Sequence, residues 1–398
     1  MYRIHGIARH YDWGSPDAIP RLLGEEPTGT PVAELWFGAH PSAPARVQGA
    51  GVALDLRALL AEDPDGCLGE GVVRRFGREL PYLLKVIAPA RPLSLQVHPD
   101  LQRARARFAA ENDAGIPLDS PRRNYRDANH KPELVYALTR FEALCGFRAP
   151  RRAAELLQGL GTTLTDTLHR QLLAEPDAGG VRRAFTSLLN LVSRPSPEVV
   201  AEVVAACAAR LESGTPSVRA DNTVVLLHRE HPGDPGVVAS LLLNPVTLNP
   251  GEALFVPAGG VHAYLSGMAV EVMASSDNVL RAGLTSKHID VPEMLACVDY
   301  VAAPPIRLAP EHLGGPENVF YAPVDDFELW VADVGPSVGP LPLRGRGPRI
   351  ILCVRGAVTV ALKDATAQLT PGGALFLRAD EGRPTISGEG TVVQADVP

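Results

Sequence analysis

LNPGEALFVPAGGVHAYLSG, residues 248–267, holds a turn, a short strand, a second turn and a second strand in one compact run. Asn249-Pro250-Gly251 is a turn signal. Ala253-Leu254-Phe255-Val256 is an apolar run of buried-strand type, stopped by Pro257. Gly259-Gly260 lets the backbone bend before Val261-His262-Ala263-Tyr264, where apolar and polar residues alternate as in a half-buried strand. Such a strand directs His262 to one face, next to a bend. A lone histidine on a strand is more often structural than a ligand, so the rest of the chain must supply its meaning.

The same unit recurs downstream. Without gaps, residues 248–267 align with LTPGGALFLRADEGRPTISG, residues 369–388, sharing Leu, Pro, Gly, Ala, Leu, Phe, Ala, Ser and Gly at matching places. Two copies of a turn-strand-turn-strand unit are what a pair of jelly-roll or cupin barrels would give. Arg383 stands where the first copy has His262, so the second copy is expected to keep the shell without a metal site.

Upstream of both copies the pattern changes. Residues 153–157, 168–173, 181–192 and 198–211 have helical spacing, the last opened by Ser196 as N-cap and Pro197 at the first helical position. Short helices are also expected at 54–60 and 72–76. His228-Arg229-Glu230-His231-Pro232 reads as the return to loop and strand, and short strands are expected at 327–332, 349–354, 357–362 and 374–377. The expected fold is mainly β, with two cupin or jelly-roll barrels and a helical domain inserted in or beside the catalytic one. The expected domains are 1–147 and 229–315 for the two parts of the catalytic unit, 148–228 for the helices and 316–398 for the C-terminal jelly roll.

Composition narrows the function class. The 398 residues are 45% hydrophobic and 21% charged, ordinary values for a globular protein of two or three domains. With 37 Gly and 37 Pro, short strands and turns are favoured over a helical bundle. A net charge of −7 gives no basic excess for nucleic acid or a membrane surface. MYRIHGIARHYDWG has no apolar h-region and no run approaches a membrane span, so a cytoplasmic protein is expected. Five scattered cysteines without CxxC spacing fit reduced, buried thiols rather than disulfides. No heptad or exposed apolar helix stands out, and a monomer is expected.

Residues 93–98, LSLQVH, alternate with period two, placing Leu93, Leu95 and Val97 on one face and Ser94, Gln96 and His98 on the other. The polar face carries a hydroxyl, an amide and an imidazole where a solvated face would carry charges. Gln96 and His98 project side by side about 7 Å apart, a spacing from which both can reach one ion. In Asn129-His130-Lys131-Pro132-Glu133, a turn leads into a strand that opens on an unexpectedly polar Glu133. Gln96, His98, Glu133 and His262 together make a four-ligand N/O set suited to Zn²⁺ or a related divalent ion. Glu271 faces opposite its apolar neighbours in Val270-Glu271-Val272-Met273-Ala274. Arg122, Arg123 and Arg126 lie in a Pro/Asn/Asp-rich loop that can approach an anion, although a solvated face is the simpler reading.

PLSLQVHPD (92–100), NHKPELVYALTRFEALCGFR (129–148), AELWFGAHPSAP (33–44) and VPAGGVHAYLSG through DNVLRAGLTSKHIDV (256–291) resemble type I mannose-6-phosphate isomerases. The matches run in order through both halves of the chain. The resemblance implies that Gln96, His98, Glu133 and His262 are the ligands of one Zn²⁺ per chain and that Arg281 is the catalytic arginine. It further implies interconversion of D-mannose 6-phosphate and D-fructose 6-phosphate through a cis-enediol, serving GDP-mannose synthesis or mannose catabolism. Lys131, Glu271 and Asp277 are the acid/base candidates, and Ser94, Lys85, Lys287 and Tyr264 the candidates for contacting the phosphosugar. The competing readings are a metal-dependent cupin oxygenase and a non-catalytic sugar-sensing cupin. The first suits mostly histidine ligands better than this mixed set.

Overall fold

The computed structural model describes residues 1–49, 54–336, 339–363 and 365–398. Its strands form three antiparallel sheets, and the chain is mainly β. A seven-stranded sheet has the order Ile306–Leu308, Ala253–Val256, Glu133–Ala137, Ala269–Ala274, Tyr82–Ile87, Glu34–Phe37, Ile7–Arg9. A five-stranded sheet has the order Leu243–Leu248, Phe141–Phe147, His262–Ser266, Leu95–Val97, Leu280–Gly283. The third, eleven-stranded sheet is built mostly from the C-terminal segment. It also takes in Tyr2–His5, which pairs with Ala374–Leu377.

Side-chain alternation explains the layering. On Glu133–Ala137, Leu134 and Tyr136 pack into the cluster that holds Ile350, Leu352, Phe376 and Val393 of the C-terminal sheet. Val135 and Ala137 point the other way, meeting Phe141, Ala143, Val246 and Tyr264 of the five-stranded sheet. Both faces are therefore covered, and Glu133–Ala137, Tyr82–Ile87 and Ala269–Ala274 are buried at every position. The opposite face of the five-stranded sheet supplies Leu95, Val97, Ala263 and Leu280 to a core shared with the helices of residues 150–242. The order of layers is helices, five-stranded sheet, seven-stranded sheet, C-terminal sheet. The inward positions of the two middle sheets are apolar at one end and carry the polar groups described below at the other.

The repeat is structural as well as textual. Ala253–Val256 and Ala374–Leu377 are strands at corresponding places. Gly251 and Gly372 both have positive φ, 91° and 82°, and Gly267 and Gly388 share φ of 114°. A Cβ on Gly267 would lie 2.4 Å from the Arg140 carbonyl oxygen, and one on Gly388 2.6 Å from that of Ala357. Each glycine allows one strand to cross close over another. A second correspondence was not read from the sequence: Glu34-Leu35-Trp36 and Glu328-Leu329-Trp330 both bond the indole N–H to the glutamate, at 2.8 and 2.9 Å.

The helical expectations hold in place and differ in extent. Ser196 caps Pro197–Ser213 as expected. The helix Val218–Glu230 runs through residues expected to return to loop, because its apolar face (Ala220, Val224, Leu227) is buried. Leu101–Asp113, with its polar sequence, and the short Val291–Cys297 are helices that gave little periodic signal. The two strands expected at 349–354 and 357–362 are one, Arg349–Leu362, shifted in register between Cys353 and Arg355. Among the described residues, no helix is long and apolar enough to cross a membrane.

Candidate metal centre and substrate cavity

Sheet register assembles the site. His262 pairs directly with Gln96, and Gln96 pairs on its other side with Arg281, so the three side chains form one row on the five-stranded sheet. His98 follows two residues after Gln96 and returns to the same face. On the facing sheet Glu133 pairs with Met273, Glu271 with Lys85, and Lys85 with Trp36. Between the sheets lies a cavity of about 1010 Å³, whose walls include Gln96, His262, Glu133, Lys131, Glu271 and Arg281.

His98, Glu133 and His262 bring one ligand atom each within 4.8 Å of the others, and all three are buried. His98 Nδ1 lies 2.8 Å from the carbonyl oxygen of Asn278, and His262 Nδ1 lies 3.0 Å from that of Gly260. A carbonyl only accepts, so each Nδ1 carries the proton and each Nε2 presents a lone pair. Those lone pairs face the Glu133 carboxylate, 3.2 Å from His98 and 3.5 Å from His262. His98 Nε2 is buried without a hydrogen-bond partner. Acceptors turned on one another in a dry site repel unless a cation lies among them, and two imidazole nitrogens with a carboxylate are donors that Zn²⁺ takes. The donor set fits the metal, and Gln96, adjacent to His262 in the sheet, is placed to add its amide oxygen.

The surrounding groups set the protonation states. Burial pushes the His98 imidazole down to about 4, leaving it neutral and ligand-ready near neutral pH. Burial alone would raise Glu133. The Lys131 ammonium 3.3 Å from Oε1 works against it, and the carboxyl lies well below the usual range. Tyr264 donates its hydroxyl to Glu133 Oε2 at 2.8 Å, fixing the second oxygen. Lys85 is 3.2 Å from Glu271 and 3.6 Å from Glu34, with its ammonium 4.8 Å from the Trp36 ring centre. Burial works against the charged lysine, yet the two carboxylates hold it above its ordinary value. For Glu271 burial outweighs the attraction of Lys85, and the carboxyl is pushed up to about 7.

Not all expected contacts fall together. Lys85 and Tyr264 are engaged with carboxylates on the inner wall, whereas Lys287 stands exposed at the cavity edge. Partial screening of its ammonium from water lowers Lys287, and the positive charges of Arg281 and Arg126 lower it further. Arg281 is likewise lowered by burial and by Arg126. Arg281, Arg126 and Lys287, with Ser94 on the same wall, make a cationic rim to the cavity. Of the three arginines in the 122–126 loop, Arg123 lines the cavity with its guanidinium bonded to the carbonyls of Tyr125 and Ile116, and Arg126 lines it as well. Asp277 also lines it, its carboxylate 3.4 Å from buried His40. Sequence reading passed over His40, Glu34 and Asn278, whose roles depend on long-range neighbours. Asn278 is fully buried, and its amide ties down Asp127 and Asn129 while its carbonyl orients His98.

Comparison with known proteins agrees with this geometry. Residues 1–150 match the family Phosphomannose isomerase type I, catalytic domain. The chain is 42% identical over 397 residues to the mannose-6-phosphate isomerase of Escherichia coli (strain K12), covering 99% of each. It is 34% identical over 408 residues to that of Mus musculus, covering 96% of this chain and 94% of the relative. Among solved structures, mannose 6-phosphate isomerase from Salmonella typhimurium bound to fructose 6-phosphate and zinc superposes with a TM-score of 0.90. It is 38% identical, and the match covers 100% of this chain and 99% of that one.

Proposed function

The chain belongs to the type I mannose-6-phosphate isomerases, and we propose that it interconverts D-mannose 6-phosphate and D-fructose 6-phosphate through a cis-enediol. The observation that carries this reading is the pair of imidazole lone pairs converging on a buried carboxylate, in a cavity rimmed by cations. Gln96, His98, Glu133 and His262 would hold the zinc. When bound there, zinc supplies Lewis-acid polarisation of sugar oxygens. Neighbouring side chains have separable tasks. The aldose's C2 proton must leave and a proton must reach C1, and one carboxylate facing the substrate can do both. Glu271, poised at about 7 on the cavity wall, is the best matched of the three candidates. Lys131, held against Glu133, and Asp277, nearer the rim, remain beside it as groups that protonate or orient the sugar oxygens. Arg281, in the same row as Gln96 and His262, offers fixed donors to an enediolate oxygen. Lys287, Arg126 and Ser94 are placed for the phosphate, a dianion that favours cationic and hydroxyl contacts.

The paired middle sheets and the C-terminal sheet are read as two jelly-roll units, the second completed by the N-terminal strand Tyr2–His5. The matched glycines at 251 and 372, and at 267 and 388, support that reading. In the cell the reaction would supply mannose 6-phosphate for GDP-mannose synthesis or draw it into catabolism. The direct test couples fructose 6-phosphate formation from mannose 6-phosphate to a dehydrogenase readout. Turnover by the zinc-loaded protein is expected, and its absence would refute the assignment.

A further inference from the structure

Arg281 lies on a short strand, Leu280–Gly283, whose far end is irregular. The ladder with Leu95–Val97 shifts between Arg281 and Gly283. Gly283 has φ of 141°, and the next residue, Leu284, sits at φ of 55°, the left-handed region that a leucine rarely adopts. Beyond it, Thr285, Ser286, Lys287 and His288 line the substrate cavity. A second cavity of about 290 Å³ lies on the other side of this segment, and Thr285 and Lys287 line both. The segment is thus a thin wall between two cavities, with Leu284 anchored in the helical core and Thr285 and Lys287 facing space on both sides.

A carboxylate also ties it down. Asp234, in the turn between Val218–Glu230 and Gly236–Ala239, accepts the Leu284 N–H on one carboxylate oxygen at 2.9 Å. Its other oxygen accepts the Gly236 N–H at 2.7 Å. The two backbones meet with no room between them. A Cβ on Gly283 would lie 2.9 Å from the Asp234 carboxylate and 3.2 Å from Gly236 Cα, and one on Gly236 would lie 3.1 Å from Leu284 Cγ. A charge-assisted bond to the amide of a strained residue selects that conformation over the relaxed alternatives.

We propose that Asp234 is a positioning residue for the isomerase reaction. It clamps the left-handed Leu284 to the helical layer, and so fixes Arg281 on one side and the Lys287 segment on the other. The proposal rests on the reading of Arg281 as the catalytic arginine. Asp234→Asn keeps the shape but can accept only one of the two amide hydrogens. It is expected to lower kcat/KM on the order of 10- to 100-fold, the usual penalty for a small misplacement. Both kcat and KM should contribute, and competitive inhibition by inorganic phosphate should weaken. Zinc content should stay unchanged, because the ligands lie on other strands.

The deciding measurement is a double-mutant cycle. In an Arg281→Ala background the same Asp234→Asn change should cost less than about twofold in kcat, because the residue acts through Arg281. Ordinary kinetics for Asp234→Asn alone, or an equal loss in both backgrounds, would overturn the proposal. Near-normal turnover by the Arg281→Ala single variant would instead remove the underlying reading of Arg281. Asp234→Ala makes a harsher version of the same test, and if it does not fold the asparagine variant still decides.

Discussion

Lys85→Met separates two roles for a buried lysine. Lys85 is 4% exposed, and its ammonium is 3.2 Å from Glu271 and 3.6 Å from Glu34. At an effective dielectric constant of about 20, one such contact amounts to roughly 5 kcal/mol, equivalent to as much as about 4 pH units in the partner's pKa. Relaxation and sharing of one proton between the two carboxylates reduce this, and a rise of about 1 to 3 units in Glu271 is the working expectation. Glu271 already titrates at about 7 in the folded protein, against an ordinary value of 4.5. The folded state therefore binds more protons through that window, and this group's contribution to stability falls as pH rises from 4.5 to about 7. In the variant the window extends to higher pH, where the cost of unpaired buried carboxylate reaches about 3–5 kcal/mol. At pH 5, where Glu271 holds its proton, the variant should lie much closer to wild type.

Two measurements check the argument, the pH profile of kcat/KM and thermal melting at pH 5 and 8. If Glu271 moves the proton, the acidic limb of the profile moves up by at least about one unit in Lys85→Met. The preference for phosphorylated over unphosphorylated mannose should stay as it was. An unmoved limb would refute Glu271 as the base. A collapsed phosphate preference would show that Lys85 contacts the phosphate.

Tyr264→Phe removes the hydroxyl that fixes Glu133 and should weaken zinc binding about 10-fold, read by competition with a chromogenic chelator, without unfolding the protein. Lys287→Met should raise KM for mannose 6-phosphate about 10-fold or more while leaving zinc content intact, since Lys287 lies at the rim and contacts no ligand. Gly267→Ala places a methyl 2.4 Å from a carbonyl oxygen at φ of 114°, and should cost about 2–4 kcal/mol in thermal or urea unfolding.

The sequence showed the fold most clearly where local and tertiary demands coincide. The turn glycines at 251 and 267 recur at 372 and 388 because each crossing needs the same positive φ. The alternation around Gln96 is visible because Leu95 and Val97 are buried against the helical core while Ser94 and Gln96 line the cavity. Other features depend on partners far along the chain. Nothing local shows that Tyr2–His5 joins the C-terminal sheet. Nor does a polar helix such as Leu101–Asp113 announce itself when only Ala104 and Glu111 are buried.

The candidate metal ligands were legible as a set and ambiguous singly, because register alone places His262 beside Gln96. Lys85 looked like an anion site by charge, and in the fold it lines the cavity paired with Glu34 and Glu271. Arg126 looked like ordinary loop solvation and faces the cavity with Arg281 and Lys287. In both cases the sequence carries the charge but not its counter-charge. His40, which meets Asp277, could be found only by folding the chain.

The central claim is that His98, Glu133, His262 and Gln96 hold a zinc on which mannose 6-phosphate isomerisation depends. The most direct test follows fructose 6-phosphate formation and bound zinc together, before chelation, after it, and after zinc is restored. The expected result is turnover that falls with the zinc and returns with it, together with loss of both in Glu133→Gln. Full turnover by zinc-free protein, or none by protein carrying one zinc per chain, would contradict the account.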